Sequence, residues 1–242
     1  MASRARLAVM DITTVLECQP CGSDFAIKLQ GGVAVFCVPK SYPSADLITT
    51  LMNRGIWNAI WIHPNSTNSM SEDDWNNFEK CLALPGVRAL REVVLDYTVP
   101  PKKWNTQHRA IDRALCKLRG DQVLVLHARA REQEDNLWQL LYMLKRRVQR
   151  SQRNHLHCFT GNRETVDLWV TEIPNGCFGY TSLIASCSEA AKEALRALDL
   201  SRLLLETDSP FFKAKAAKLG SPLHLGIMAN AVARCRGRKY YS

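Results

Sequence analysis

The stretch Leu203–Pro210 reads LLLETDSP, an aliphatic run that stops abruptly at two carboxylates and a proline. A short, continuous apolar run of this kind is typical of a parallel strand that is buried on both faces. Acidic side chains at its exit would lie at the rim of a sheet or barrel, where active sites are commonly built. The stretch therefore predicts an α/β fold with polar chemistry at the carboxyl ends of its strands.

Three other apolar segments have the same ending, a histidine or a carboxylate: Val123–Leu126 precedes His127, His155–Leu156 precedes His157, and Leu90–Leu95 contains Glu92 and is followed by Asp96. Taken singly, each polar residue is more typical of an ordinary strand end than of a ligand. Together, two histidines and two or three carboxylates at the same end of successive strands are the ligand set of a divalent-metal hydrolase. We therefore predict an intact or vestigial metal site.

Strand-like segments alternate with helical periodicity along the chain. The strands are predicted at roughly 7–12, 32–38, 57–62, 87–95, 122–127, 154–159, 176–181 and 202–207. Helices are predicted after Ser44, after Ser71, at 104–119, at 137–148 and after Ser186. Eight buried strands joined by helices favour a single (β/α)8 TIM-type barrel over residues 1–242. A doubly wound open sheet is the alternative, although no glycine-rich loop follows an early strand.

The composition is ordinary for a globular protein: hydrophobic residues make up 46% and charged residues 23%, without a linker-like tract. No apolar segment approaches the length of a membrane span. Most of the nine cysteines lie in apolar runs or helical patterns, which favours free thiols in a reducing compartment. We therefore expect an intracellular monomer of the nucleus or cytoplasm that has no membrane partner.

The chain is basic, with a formal net charge of +9, which favours a polyanionic partner such as DNA or RNA. The cations cluster at Lys145–Arg153, Lys213–Lys218 and Arg234–Lys239. The second cluster lies immediately beyond the predicted site, where phosphate contacts would be useful, and we expect the first cluster to contact phosphates without reading bases. A solvated helix face is the alternative for each cluster.

Four of the polar segments, taken in order, resemble the signature motifs of a known family: Glu92–Tyr97 (EVVLDY), His127–Ala130 (HARA), His157–Gly161 (HCFTG) and Glu206–Phe211 (ETDSPF). The family is that of the TatD metal-dependent deoxyribonucleases. Ile62–Pro64 and Gly176–Thr181 extend the resemblance over nearly the whole chain. Gly32–Cys37 and Ile56–Ala59 are most similar to the TatD DNase domain-containing protein 2 branch.

The resemblance implies a barrel of the metal-dependent amidohydrolase kind that hydrolyses phosphodiester bonds with Mg²⁺, Mn²⁺ or Zn²⁺. It implies a 3'-5' exonuclease acting on DNA or RNA. The implied metal ligands are Glu92, His127, His157 and Asp208, of which Glu92 and Asp208 are also catalytic. The implied substrate-binding residues are Arg129, His63 and Tyr97, although a structural turn is as good an interpretation of His63.

The chain departs from the family pattern at its first motif. The family has Asp-Thr-His-x-His there, and Asp11–Val15 reads DITTV, so that Thr13 and Val15 are degenerate metal positions. We therefore expect one tight divalent ion and reduced activity. A catalytically inactive barrel that binds nucleic acid or a protein partner is the alternative. We also expect the family's last helix to be missing, which leaves a decayed product with marginal folding as a third possibility.

His155, two residues before His157, is assigned a packing role and is expected to point away from the barrel interior. The six tryptophans are likewise expected to pack rather than to stack on bases.

Overall fold

The computed structural model of the chain describes residues 10–11, 32–62, 67, 69–129, 136–209, 220–221 and 224–237. Three residues with predicted roles, Thr13, Val15 and His63, lie outside the described residues, as does the basic cluster Lys213–Lys218. What the sequence indicates for them stays a prediction.

The described strands form one sheet in chain order. They are β1 Met10–Asp11, β2 Gly32–Phe36, β3 Ile56–Ile60, β4 Val87–Asp96, β5 Val123–Arg129, β6 Asn154–Leu156, β7 Gly176–Tyr180 and β8 Leu203–Leu205. Every neighbouring pair from β2 to β8 is parallel, so their carboxyl ends meet at one rim. These seven strands and their helices curl into a TIM-type half-barrel, which confirms the predicted α/β fold.

The first strand differs from the prediction. β1 pairs antiparallel with β2, with Met10 opposite Ala34 and Asp11 opposite Val33. The prediction of parallel strands is therefore correct for seven of the eight and wrong for β1. A two-residue strand has too short a pattern to reveal its direction, which depends on the connection to β2 outside the described residues.

Seven helices lie in the described part of the chain: α1 Ala45–Met52, α2 Glu72–Leu82, α3 Trp104–Leu115, α4 Asn136–Arg147, α5 Arg163–Glu172, α6 Glu189–Ala197 and α7 Leu225–Cys235. The starts of α1 and α2 are as predicted. The Ser44 side chain accepts a hydrogen bond from Leu47 N, and Ser71 forms a capping box with Asp74. None of these helices has the length and hydropathy that a membrane span requires.

Three helices depart from the sequence analysis. α5, which was not predicted, begins after Asn162, whose side chain accepts from Thr165 N. α6 begins after Ser188 rather than Ser186, because the Ser188 side chain accepts from Ala191 N. α7, which follows β8, was not predicted either. Its buried residues Leu225, Met228 and Val232 have the spacing of one helix face, so the signal was present in the sequence.

The main core lies between the outer face of the sheet and the helices, and its fully buried side chains include Trp169, Phe78 and Phe178. The tryptophans behave only partly as predicted. Trp75 and Trp169 are buried, whereas Trp57 and Trp138 are exposed. The packed helices hold the strand ends in register, and the site is built on those ends.

We expect Phe78→Ala to lower the free energy of unfolding by about 3–5 kcal/mol, because it leaves a cavity in a packed core. Phe78 has no exposed surface and packs edge-on against Trp75. Trp138→Ala is the matched control, and it should change stability by no more than about 0.5 kcal/mol since the Trp138 side chain is exposed. Urea unfolding of the three proteins measures both values. Equal losses in the two variants would contradict this placement of the core.

Candidate metal centre

The ends of four strands bring the four predicted ligands together at the carboxyl rim. Glu92 lies on β4 and His127 on β5, while His157 follows β6 and Asp208 follows β8. His157 Nε2 lies 3.1 Å from Glu92 Oε1 and 3.1 Å from Asp208 Oδ1. His127 Nδ1 lies 4.0 Å from Glu92 Oε2. Glu92, His127 and His157 therefore form one group that could hold a metal ion.

The ring of His157 is oriented by a carboxylate behind it. His157 Nδ1 lies 2.7 Å from Glu206 Oε1, and Glu206 Oε2 accepts a second hydrogen bond from Cys158 N. A histidine that donates Nδ1–H to a carboxylate presents Nε2 to a metal, and this arrangement is common around metal ligands. Here it turns His157 Nε2 toward Glu92 and Asp208.

Glu206 is buried, and its charge is held by two imidazoles. Burial alone would raise the pKa of Glu206, but His155 and His157 hold that pKa well below its usual range. Burial likewise disfavours the charged form of His157, yet Glu206, Asp208 and Cys158 together keep the pKa of His157 well above its usual value. The charges therefore compensate one another inside the site.

The expectation that His155 points away from the interior is wrong. His155 Nε2 lies 2.6 Å from Glu206 Oε1, a close contact whose geometry is not that of an aligned hydrogen bond. The physical reason is the period of the strand, because residues two apart share one face and His155 lies on the same side as His157. His155 and His157 both contact Glu206 at the distances of hydrogen bonds and ion pairs. Glu206 and His155 therefore hold His157 in place.

His127 is engaged by Arg129. Arg129 Nε donates to His127 Nε2 over 2.7 Å, and Arg129 itself is exposed at the rim. Burial lowers the pKa of His127 to about 4, so the ring is neutral and carries its proton on Nδ1. In the described part of the chain, this buried Nδ1 has no hydrogen-bond partner. Ligation through either nitrogen would break the hydrogen bond from Arg129, because a neutral ring has one acceptor.

Cys158 also faces the site, whereas its place in an apolar run indicated only a buried thiol. Its Sγ lies 3.5 Å from His157 Nε2 and 3.6 Å from Asp208 Oδ2. Burial raises the pKa of Cys158 to about 12. The backbone of Cys158 is left-handed, with φ of 49°, and that of Asp208 is also left-handed, with φ of 45°. Such conformations cost roughly 1–3 kcal/mol each and are concentrated at functional sites.

Arg91, which precedes Glu92 in the sequence, lies beside the carboxylates. It is buried, and its Nη2 lies 3.6 Å from Glu92 Oε1. Burial would raise the pKa of Asp208, but the hydrogen bond to His157 and the charges of His157 and Arg91 lower it. Asp208 is therefore ionised at neutral pH in a site that is suited to a cation.

The described contacts of Tyr97 tie it to α3. Its ring stacks on Trp104 with centroids 4.1 Å apart, and its hydroxyl lies 3.1 Å from His108 Nε2. Tyr97 N donates to Arg129 O, so Tyr97 lies beside the rim. A role in binding substrate stays a prediction for this residue.

The basic cluster Lys145–Arg153 is not beside the site. It lies at the end of α4 and in the loop that enters β6, and therefore at the opposite rim, because the helices run antiparallel to the strands. Its side chains make intramolecular contacts: Lys145 with Glu172, Arg147 with Asp112, Arg150 with Thr171 O and Arg153 with Asp121 O. A contact of this cluster with phosphates stays a prediction, and it would lie on a surface away from the candidate site.

Comparison with known sequences decides the family. The family profile described as TatD related DNase matches residues 24–241. The chain belongs to the TatD family. It is 30% identical over 196 residues to the human 3'-5' RNA nuclease TATDN2, a match that covers 78% of this chain. The match covers 25% of the human protein, so this TatD chain spans about a quarter of that relative's length.

Bacterial relatives of this TatD chain include the 3'-5' ssDNA/RNA exonuclease TatD of Klebsiella pneumoniae (strain 342). The two are 28% identical over 200 residues, which cover 76% of this chain and 71% of the relative. The similarity to TATDN2 agrees with the branch that the sequence resembled.

Solved structures show the same fold. A TatD homologue from Escherichia coli K12 superposes with a TM-score of 0.71 at 18% identity, covering 88% of this chain and 80% of the homologue. An amidohydrolase from Saccharomyces cerevisiae superposes with a TM-score of 0.63 at 15% identity, covering 86% of this chain and 83% of that protein.

Proposed function

We propose that this chain is a metal-dependent 3'-5' exonuclease on single-stranded DNA or RNA, with one tight divalent ion at the carboxyl rim. One observation carries the proposal. His157 Nε2 lies 3.1 Å from both Glu92 and Asp208, while its Nδ1 is held by Glu206. An imidazole nitrogen that lies between two carboxyl groups is suited to a divalent cation.

The donor set fits such an ion. Carboxylate and imidazole ligands suit Mg²⁺, Mn²⁺ or Zn²⁺, and we assign Glu92, His157 and Asp208 to the ion, with His127 joining once Arg129 releases it. When bound, a divalent ion activates a water molecule and stabilises charge on the phosphodiester. One ion is expected because Thr13 and Val15 occupy the two positions where the family has histidine ligands, and neither side chain is an imidazole.

The side chains of the site have separate tasks in this proposal. Asp208 accepts a proton from the attacking water, and Glu92 supplies the second carboxylate. Glu206 and His155 keep His157 in its orientation, because both contact the same buried carboxylate oxygen. Arg129 lies exposed at the rim, where its guanidinium meets a phosphate of the substrate.

The relatives support the choice of substrate. The printed names of the human and bacterial relatives specify 3'-5' nucleases of RNA or of single-stranded DNA and RNA. The net charge of +9 favours a nucleic-acid partner. The single-domain organisation over 1–242, the monomeric state and a location in the nucleus or cytoplasm stay predictions from the sequence.

A second candidate function has one observation in its favour. The hydrogen bond from Arg129 to His127 keeps a predicted ligand away from any ion. A barrel that binds nucleic acid without cleaving it would tolerate this arrangement, and its binding would survive chelation. Cleavage that stops with chelation and returns with added metal would exclude this candidate.

We expect Asp208→Asn to reduce nuclease activity by at least about 100-fold, the lower end of the contribution of a general base. The substitution keeps the volume and removes the charge that His157 and Arg91 hold in its ionised form. The assay is release of nucleotides from a labelled single strand at saturating metal. Asp199→Asn is the control, because Asp199 is an exposed carboxylate that caps a turn away from the rim. Full activity in the Asp208 variant would contradict its assignment.

A further inference from the structure

Three side chains of different chemistry, an imidazole, a thiol and a carboxylate, lie close together at the rim, and a second carboxylate adjoins the imidazole. The separations are 3.1 Å from His157 Nε2 to Glu92 Oε1, 3.1 Å from His157 Nε2 to Asp208 Oδ1, 3.5 Å from Cys158 Sγ to His157 Nε2 and 3.6 Å from Cys158 Sγ to Asp208 Oδ2. His157, Cys158 and Asp208 form a group with ligand atoms close enough to share an ion.

The separations of the thiol are those of ligands around one ion. With usual zinc bond lengths, two nitrogen or oxygen ligands lie about 3.3 Å apart, and a sulfur lies about 3.6 Å from a nitrogen or oxygen. Cys158 Sγ lies near the longer value from both His157 Nε2 and Asp208 Oδ2. The thiol therefore lies where a ligand of the ion would lie.

The group of His157, Cys158 and Asp208 does not need His127. The ring nitrogen of His127 that could accept is already engaged by Arg129 Nε at 2.7 Å, whereas the side-chain contacts of Cys158 among the described residues are with His157 and Asp208 themselves. His157, Cys158 and Asp208 can thus hold an ion from the positions that they already occupy, next to Glu92.

We propose that Cys158 is a ligand of the ion, together with Glu92, His157 and Asp208, and that the site therefore selects Zn²⁺ over Mg²⁺. This inference rests on the metal centre of the proposed function. A thiolate is a soft ligand that binds Zn²⁺ or Co²⁺ and not Mg²⁺. On coordination the S–H bond of Cys158 and the N–H bond at His157 Nε2 break, sulfur–metal and nitrogen–metal bonds form, and both protons pass to solvent.

The test is an absorption spectrum of the full chain loaded with Co²⁺, read beside calorimetric titrations with Zn²⁺ and Mn²⁺. The wild type should show a thiolate-to-cobalt charge-transfer band, and Cys158→Ser should lose it. The same variant should bind Zn²⁺ at least about 10-fold more weakly while Mn²⁺ affinity changes much less. Cys235→Ser, a half-buried thiol on α7, is the control and should keep the band.

A second variant guards against a folding defect. Cys158→Asp keeps an anionic ligand, and aspartate tolerates the left-handed backbone at this position. It should remain folded and retain Mn²⁺ binding without the charge-transfer band. Co²⁺ bound by the wild type without the band would overturn the role of Cys158 and leave the metal centre standing. Absence of any metal binding in the wild type would overturn both the inference and the proposed function.

Discussion

His157→Ala should weaken divalent-metal binding by at least about 100-fold. Loss of a residue that only orients a ligand weakens binding by about 10–100-fold, and His157 is itself a candidate ligand. The effect is large because His157 is the residue that contacts both Glu92 and Asp208, each at 3.1 Å. Removing its ring deletes the nitrogen ligand that lies between these two carboxyl groups.

His108→Ala is the matched control for this prediction. His108 lies on α3, where its Nε2 contacts the hydroxyl of Tyr97 rather than a carboxylate of the site. Calorimetric titration with Mn²⁺ or Zn²⁺ compares the two variants with the wild type, and circular dichroism shows that both are folded. If His157→Ala bound metal as tightly as His108→Ala, the centre would have to be placed on other residues.

Gly179→Ala should damage the site without touching any ligand. An added Cβ on Gly179 would lie 2.3 Å from Glu206 Cδ and 2.4 Å from each of its carboxylate oxygens, so the buried side chain must move. Overpacking of this kind costs about 1–3 kcal/mol of stability. Because displaced Glu206 can no longer hold His157, we also expect metal affinity to fall by about 10–100-fold.

Gly120→Ala provides the control, since an added Cβ at Gly120 meets nothing within 4 Å. Its stability and metal affinity should equal those of the wild type. A double variant with Gly179→Ala and Glu206→Asp should recover part of the lost stability, because the shorter carboxylate vacates the crowded space. Equal behaviour of the two glycine variants in unfolding and titration would show that Glu206 does not orient His157.

The barrel strands could be predicted because their signal is local. A run such as Leu203–Leu205, which is half-buried in the structure, reads as continuous apolar sequence and ends at the residue where the strand ends. The rim follows from topology, since parallel strands place their carboxyl ends together. Glu92, His127, His157 and Asp208 could thus be brought to one place from sequence alone, whereas the direction of β1 could not.

The supporting residues of the site were harder to predict because they depend on contacts between distant segments. Glu206 and His157 are 49 residues apart, and no local pattern indicates that one holds the other. The role of His155 was within reach, since residues two apart on a strand share a face. The position of the Cys158 side chain could not be predicted, because it depends on a left-handed backbone that cysteine has no local propensity to adopt.

The basic cluster Lys145–Arg153 shows what amino-acid composition alone cannot predict. Arg147 and Lys145 read as free cations in the sequence, yet Asp112 and Glu172 on neighbouring helices pair with them. Net charge predicts the kind of partner and leaves open which surface meets it. In this chain, Arg129 is an exposed basic side chain that the structure places at the rim beside the candidate ligands, and Arg91 is a buried one.

The most direct test of the account is the time course of nucleotide release from a single strand labelled at its 5' end and, separately, at its 3' end. The purified wild-type chain is assayed as isolated, after chelation, and after a divalent ion is restored. We predict that cleavage proceeds from the 3' end, stops on chelation and returns with the ion. Cleavage that continues unchanged in chelator, or none at any metal concentration by folded protein, would contradict the account.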